Sequence, residues 1–184
     1  MSQTNWFDSL LVGNEGEKVA EDLFDFIKNK KQIKDWTRTP HYTFEHHGLD
    51  YEYDYLFVID KKRKGIEVKC LAGEDDDGIR YASAVIEVWK DNDRTVRPGW
   101  WKSQEAGVLN FVYIVNRRDR KIYCFSSTVL YNWINSQTHL FLTRCRNKNT
   151  SNKGWITLFK WEDEAAGWRG TWTKEEDGWI IKKP

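Results

Sequence analysis

The stretch from Asp54 to Lys69, DYLFVIDKKRKGIEVK, carries the strongest structural signal in this chain. Its apolar residues alternate along the sequence, first at Leu56 and Val58 and then at Ile66 and Val68, a pattern typical of β-strands. A polar and mostly basic run separates the two groups. The stretch therefore predicts two strands joined by a short connector over residues 61–65.

Three charged residues occupy the ends of these strands. Glu67 and Lys69 are two residues apart, so they share one face of the second strand. If the strands pair antiparallel, Asp54 at the start of the first strand approaches Glu67 or Lys69, depending on the register. A slip of one residue would reverse that arrangement, so the sequence leaves the register open.

Two carboxylates beside an ammonium group are suited to the hydrolysis of phosphodiesters. Negative charge accumulates on the phosphoryl oxygens during attack, and Asp and Glu are hard oxygen ligands that hold Mg²⁺ against that charge. A neighbouring lysine orients or deprotonates the attacking water, or stabilises the transition state. The competing interpretation is that Glu67 and Lys69 simply lie on a solvated strand face.

An amphipathic helix is predicted earlier in the chain, over residues 13–27, GNEGEKVAEDLFDFI. Its apolar stripe recurs at helical spacing, at positions 16, 19, 20, 23, 26 and 27. Glu17 lies at the margin of that stripe, from which it can project toward a site on the sheet. Glu15 and Glu21 are interpreted as ordinary acidic residues of the helix surface.

The order of these features resembles that of the PD-(D/E)XK nuclease superfamily, which includes Holliday-junction resolvases, restriction enzymes and phage or homing endonucleases. The matching residues are Gly13 and Glu17 on the helix, Asp54, and Glu67-Val68-Lys69, with 12 residues between Asp54 and Glu67. The resemblance extends to about Val115.

The chain departs from the family pattern at one position. The proline that precedes the family's aspartate is replaced by Tyr53. Asp50 competes for the same role, but Asp54 directly precedes the apolar run and is preferred for that reason.

The resemblance implies a catalytic site with named roles. Asp54, Glu67 and the carbonyl of Val68 would bind Mg²⁺ or Mn²⁺, Glu17 would contact the metal through water, and Lys69 would act on the attacking water. Cleavage would leave 5′-phosphate and 3′-hydroxyl ends.

The fold expected from the resemblance is an α/β, restriction-endonuclease-like domain. Its mixed β-sheet core would follow an α-β-β-β-α-β order, flanked by helices, with a Trp-rich C-terminal extension. We expect a single nuclease domain over 1–184, with the core at about 10–135 and a C-terminal decoration at about 136–184.

Several residues are predicted to contact nucleic acid. Lys61, Lys62 and Arg63 form a basic cluster in the connector, and Lys102 and Gln104 are candidates by position, in a helix expected at 100–106. The expected partner is duplex or branched DNA. A homodimer is expected because cutting both strands needs two sites.

Composition limits the other classes. A net charge of +1 excludes a uniformly basic surface, so phosphate binding must be local. Three cysteines without metal spacing (Cys70, Cys124 and Cys145) indicate neither a disulfide framework nor a zinc site. No apolar run reaches the ~20 residues of a membrane span and no signal-peptide pattern is present, so an intracellular, cytoplasmic protein without a membrane partner is expected.

Two alternatives remain open at the level of the sequence, and a third lacks the expected pattern. The same metal chemistry suits an RNA endonuclease. A non-catalytic binding module would instead use the C-terminal tryptophans as contacts, among them Trp172 and Trp179. A histidine nuclease built on His41, His46 and His47 lacks the spacing that such sites use.

Overall fold

The structure is a computed structural model that describes residues 4–39, 43–46, 48–70, 83–89, 99–117, 119–136, 143–144, 155–160 and 168–183. The described part contains three helices and twelve strands. In chain order they are α1 (Thr4–Asn29), β1 (Asp35–Arg38), β2 (Thr43–His46), β3 (Leu49–Glu52), β4 (Tyr55–Ile59), β5 (Lys62–Cys70), β6 (Ser83–Trp89), α2 (Trp100–Glu105), β7 (Leu109–Asn116), β8 (Lys121–Ser126), α3 (Ser127–Ser136), β9 (Thr143–Arg144), β10 (Trp155–Lys160), β11 (Trp168–Glu175) and β12 (Gly178–Lys182).

The predicted hairpin is β4 and β5, which pair antiparallel from Ile59↔Lys62 to Tyr55↔Ile66. Its connector is shorter than the sequence suggested. Asp60 and Lys61 both have positive φ, 48° and 63°, as the two central residues of a type I′ turn require. The prediction of a connector over 61–65 was therefore wrong for residues 62–65, which already belong to β5.

The main sheet has seven strands in the order β1-β4-β5-β7-β8-β11-β12. Strands β5 and β7 pair in parallel, whereas every other neighbouring pair in this sheet is antiparallel. The sheet is therefore mixed, as expected. The elements α1, β4, β5, β6, α2 and β7 occur in the expected order, but β1, β2 and β3 are inserted before β4, and β6 pairs with β10 in a separate sheet.

The C-terminal part of the chain contributes to the main sheet. Strand β11 pairs with β8 and with β12, so residues 168–182 extend the same sheet that contains β4 and β5. Trp172 and Trp179 are 6% and 5% exposed and belong to the same core as Phe24. These two tryptophans pack in the interior, so they cannot supply the exposed contacts of a binding module.

The sheet curls around helix α1, which contacts both edge strands. On one edge, Trp36 of β1 donates its indole N–H to Asp25 at 2.8 Å. On the other edge, Trp179 of β12 donates its indole N–H to Asp22 at 2.9 Å. Phe24 lies fully buried between these contacts, edge-on to Phe57 at 4.7 Å between ring centroids. The core therefore lies between one amphipathic helix and the concave face of the sheet.

Among the described residues, no helix combines the length and apolar character needed to cross a membrane. Helix α1 is 26 residues long, but it contains too many charged residues to cross a membrane.

Candidate active site

Asp54 is tied to β5 at the end of β4. Its backbone N–H donates to the carbonyl of Ile66 at 3.0 Å, and its Oδ2 accepts a hydrogen bond from the backbone N–H of Val68 at 2.8 Å. A carboxylate fixed by a main-chain donor has one orientation rather than several rotamers. The second carboxylate oxygen can then be directed toward a ligand without an entropic cost at the moment of binding.

Glu67 lies next to Asp54 in the hairpin. Strand β4 pairs with β5 as far as Tyr55↔Ile66, and Asp54, the residue before Tyr55, is hydrogen-bonded to Ile66 and Val68, the two neighbours of Glu67 in the chain. These hydrogen bonds bring Asp54 next to Glu67, an arrangement that the sequence left open.

Lys69 lies beside Glu67 on the same strand face. Its Nζ is 2.6 Å from Oε1 of Glu67, whose side chain is only 4% exposed. The alternating neighbours Ile66 and Val68 point into the core beneath α1, so Glu67 and Lys69 occupy the opposite face of β5. A buried carboxylate paired with a lysine is not a solvated strand face. The competing interpretation given for the sequence does not apply to Glu67.

The carbonyl of Val68 points to the same edge as Asp54. In an extended strand the N–H and C=O of one residue point to the same side. Since the Val68 N–H donates to Asp54, its carbonyl also faces that side, at a level where β4 has ended. The Val68 carbonyl therefore lies on the same side as the Asp54 carboxylate, beyond the part of β5 that pairs with β4.

Helix α1 brings Glu17 to this place through a close contact made by the preceding residue. An added Cβ on Gly16 would lie 2.7 Å from Cβ and Sγ of Cys70, the last residue of β5. Only glycine allows the helix to approach the sheet this closely. Gly13, the position matched to the family motif, has nothing within 4 Å of such a Cβ. Gly16, which the sequence showed only as one position of the apolar stripe, makes the contact.

The electrostatic surroundings of Glu17 tie it to the same site. Burial raises the pKa of Glu17 above its ordinary value, the guanidinium of Arg38 opposes that shift, and the negative charge of Asp54 adds to it. Lys69 also acts on Glu17, in the lowering direction. Two other residues predicted from the sequence, Asp54 and Lys69, therefore act on Glu17 at the end of β5.

Arg38 was not identified from the sequence. It ends β1 directly opposite Tyr55, forms an ion pair with Glu17, and approaches Glu21 at 3.6 Å. Tyr55 donates its hydroxyl to the same Glu21 at 2.9 Å. In the sequence Arg38 is an isolated cation in a segment with no predicted strand, so no pattern distinguished it.

A second missed group lies on the opposite side of Gly16. Arg117 follows β7, forms an ion pair with Glu15 of α1, and also interacts with Cys70. Burial raises the pKa of the Cys70 thiol to about 11, against the lowering effect of Arg117, so this thiol is protonated at neutral pH. Cys124 is buried, and Cys145 lies outside the described residues.

The residues predicted to contact nucleic acid do not join this site. Lys62 and Arg63 lie at the other end of β5, with Lys61 in the turn just before it, and the seven residue steps from Lys62 to Lys69 span about 23 Å in a strand. Lys102 forms an ion pair with Glu105 on α2.

Gln104 is 9% exposed and lies 3.5 Å from the Thr128 hydroxyl of α3. It therefore packs between two helices rather than facing a substrate.

The alternative residues lie elsewhere. Asp50 belongs to β3, in a separate two-stranded sheet with β2. His41 and His47 lie outside the described residues, and only the backbone of His46 is described.

The donor set fits a hard divalent cation. Asp54, Glu67 and the Val68 carbonyl supply oxygen ligands, which are the ligands that Mg²⁺ and Mn²⁺ prefer, with water completing the coordination shell. Within the part of the chain that the structure describes, no group of three or more His, Cys, Asp and Glu side chains is arranged to hold a metal.

Comparisons with known proteins add little to this geometry. No protein-family model and no curated protein matches the sequence. Among solved structures, the fold is similar to that of I-Ssp6803I, a bacterial homing endonuclease, with a TM-score of 0.37 and 13% identity over 65% of each chain. The match spans less than two thirds of that protein. At this level of similarity it carries no argument about activity.

Proposed function

We propose that this protein is a divalent-metal-dependent DNA endonuclease with a site of the PD-(D/E)XK type. One observation carries the proposal. The hydrogen bond from the Val68 N–H to Asp54 fixes a carboxylate next to Glu67, which in turn holds Lys69 at 2.6 Å. Two carboxylates and an ammonium group held by mutual contacts on adjacent strands are what metal-assisted attack on a phosphodiester requires.

In the proposed reaction each residue has a separate task. Asp54, Glu67 and the Val68 carbonyl would hold Mg²⁺ or Mn²⁺, and Glu17 would orient a water on it. When bound, the cation supplies positive charge against the phosphoryl oxygens and lowers the pKa of bound water. As an ammonium group positioned by Glu67, Lys69 would orient the attacking water; as the neutral amine, it would accept the proton of that water.

The bond changes follow from attack by water at phosphorus. A bond forms between the water oxygen and phosphorus, and the bond from phosphorus to the 3′ oxygen breaks. The water proton passes to Lys69 where that residue is the neutral amine, and otherwise to solvent, and the departing oxygen takes a proton from solvent. The products would be 5′-phosphate and 3′-hydroxyl ends. A homodimer would place two such sites on the two strands of a duplex.

The test is a cleavage and metal-binding experiment on Asp54→Asn. Labelled plasmid, random-sequence duplex, branched DNA, single-stranded DNA and RNA are incubated with Mg²⁺, Mn²⁺, Ca²⁺ or EDTA, and the ends are checked by ligation. We expect wild-type cleavage of DNA with Mg²⁺ or Mn²⁺ and a loss of about 100-fold or more in the variant, because an amide cannot replace a charged metal ligand. Direct Mn²⁺ binding should weaken in parallel.

Asp177→Asn is the matched control, since Asp177 is exposed in the turn between β11 and β12. Preferential cutting of RNA would favour the RNA endonuclease instead. Equal cleavage traces in the wild type and in Asp54→Asn would indicate a contaminating nuclease. Absence of cleavage on every substrate, together with unchanged Mn²⁺ binding in Asp54→Asn, would contradict the proposed site.

A further inference from the structure

Positive charge is concentrated in two short segments. Residues 28–35 and 60–64 together contain eight basic and two acidic side chains, in a chain whose totals are 29 and 28. The rest of the chain is therefore net acidic. The small overall charge hides a strong local imbalance, and local charge decides which surface attracts a polyanion.

The fold brings the two segments together although about 30 positions separate them in the sequence. The backbone N–H of Lys34 donates to the carbonyl of Val58 at 2.8 Å, and Val58 pairs with Arg63 in the next strand. The end of α1, the start of β1 and the turn before β5 thus form one surface. We call it the basic pole, and it consists of Lys28, Lys30, Lys31, Lys34, Lys61, Lys62, Arg63 and Lys64.

The basic pole is open to solvent. All of its members except Lys64 are exposed, and Lys28 forms an ion pair with Asp35 at 2.7 Å. The positive φ of Lys31 and of Lys61, 58° and 63°, marks the two turns that display these side chains. Binding of a partner with closely spaced negative charges reduces the repulsion among these exposed cations. The phosphates of a nucleic acid provide such charges.

The basic pole also has a fixed spacing from the candidate active site. Strand β5 begins with Lys62 at the pole and carries Lys69 near its other end. Seven residues of extended strand span about 23 Å. Phosphates of one DNA strand repeat about every 3.4 Å along the duplex axis, so this distance corresponds to about seven base pairs.

We propose that the basic pole binds the backbone of duplex DNA about seven base pairs from the phosphate at the candidate active site. This inference rests on the proposed function, because the spacing is measured from Lys69. A duplex is stiff over this distance and contacts both ends of β5 at once, whereas a shorter duplex contacts only one. The pole supplies affinity and orientation, and it does not read base sequence.

The test measures DNA binding by fluorescence anisotropy without divalent metal, so no cleavage is needed. The variant Lys31→Gln/Lys62→Gln removes two charges from the pole, and Lys182→Gln/Lys183→Gln removes two exposed charges at the end of β12 as the matched control. Each is compared with the wild type on a random-sequence duplex of about 20 base pairs and on a hairpin duplex of about 5, at several salt concentrations.

The wild type and the control should bind the long duplex much more tightly than the short one, and the pole variant should not show that gain. On the long duplex we expect about tenfold weaker binding by the pole variant at low salt. Its salt slope should be smaller by about 1.8, or about 0.9 for each phosphate that the variant no longer neutralises. Retention of the length gain by the pole variant would overturn the inference. An equal weakening of DNA binding in the control variant would also overturn it. The same holds if the pole variant binds phosphatidylserine vesicles more weakly than the wild type but binds DNA equally well.

The two proposals can fail separately. A protein that shows the length-dependent binding but cuts nothing contradicts the proposed nuclease activity and leaves the basic pole in place. A protein that cuts DNA while the pole variant binds like the wild type contradicts only the basic pole.

Discussion

The two ends of strand β5 carry similar residue types in opposite physical settings. At one end, Lys69 is held by Glu67, and Asp54 is fixed by a main-chain N–H. At the other end, Lys62 and Arg63 are exposed and adjoin a turn with further cations. Each end contains lysine, but only the Lys69 end has a buried carboxylate beside it, whereas Asp35 at the other end is exposed.

The difference shows how one strand can support two kinds of task. Chemistry requires charged groups held to a fraction of an ångström, and such groups are fixed by partners and partial burial. Attraction of a polyanion requires only exposed charge of one sign, and flexible side chains serve it well. From the sequence alone, a lysine is compatible with either task. Its neighbours in space decide which one it can perform.

The largest effect is expected when the lysine at each end of β5 is removed in turn. Lys69→Ala should lower kcat by about 100- to 10,000-fold, because a positioned general base or transition-state cation contributes that much. Lys62→Ala should instead raise KM and reduce the salt dependence of binding. Steady-state cleavage on duplex DNA separates the two parameters.

Lys183→Ala is the control for the general loss of one positive charge, since Lys183 is exposed beyond the end of β12. A comparable fall of kcat in both Lys69→Ala and Lys62→Ala would show that the two ends do not differ in task.

Helix packing distinguishes the two ends further, because only the catalytic end depends on α1 approaching β5. Gly16→Ala should destabilise the protein by about 1–3 kcal/mol through overpacking against Cys70, and it should lower kcat by displacing Glu17. Gly13→Ala on the same helix meets nothing and should stabilise by about 0.5–1 kcal/mol. Chemical denaturation and kcat measure both effects. An unchanged kcat in a destabilised Gly16→Ala would separate the glycine contact from the position of Glu17.

The smallest expected effect concerns stability rather than rate. Burial raises the pKa of Glu17, so the folded protein holds that proton more tightly than the unfolded chain, and stability falls as pH rises through the interval above 4.5. In EDTA at neutral pH, Glu17→Gln should therefore melt at or slightly above the wild-type temperature. Below pH 4.5 the difference should vanish, because Glu17 is then protonated in both states.

Arg38→Gln should change the melting temperature in the opposite direction. Arg38 lowers the pKa of Glu17, and its removal leaves Glu17 and Glu21 without that cation. Its melting temperature should fall at neutral pH. A fall in both variants would mean that the ion pair outweighs the cost of burying Glu17, contrary to this prediction.

Local patterns in the sequence were sufficient to specify the elements that carry the site. Alternation specified β4 and β5, the helical stripe specified the part of α1 that carries Glu17, and the spacing placed Glu67 and Lys69 on one face. These are short-range properties, set by the periods of 2.0 and 3.6 residues that side chains follow in strands and helices. The resemblance to a nuclease family assigned roles to residues that local patterns had already singled out.

Tertiary contacts were needed to establish which of these residues meet. The type I′ turn at Asp60 and Lys61 set the register of β4 on β5, and the hydrogen bonds of Asp54 brought it next to Glu67. The contact of Gly16 with Cys70 set the position of Glu17. Pairing of β11 with β8 drew the C-terminal segment into the main sheet. Register, close helix packing and long-range strand pairing depend on contacts between residues far apart in the chain, and one-residue differences in them change which side chains share a face.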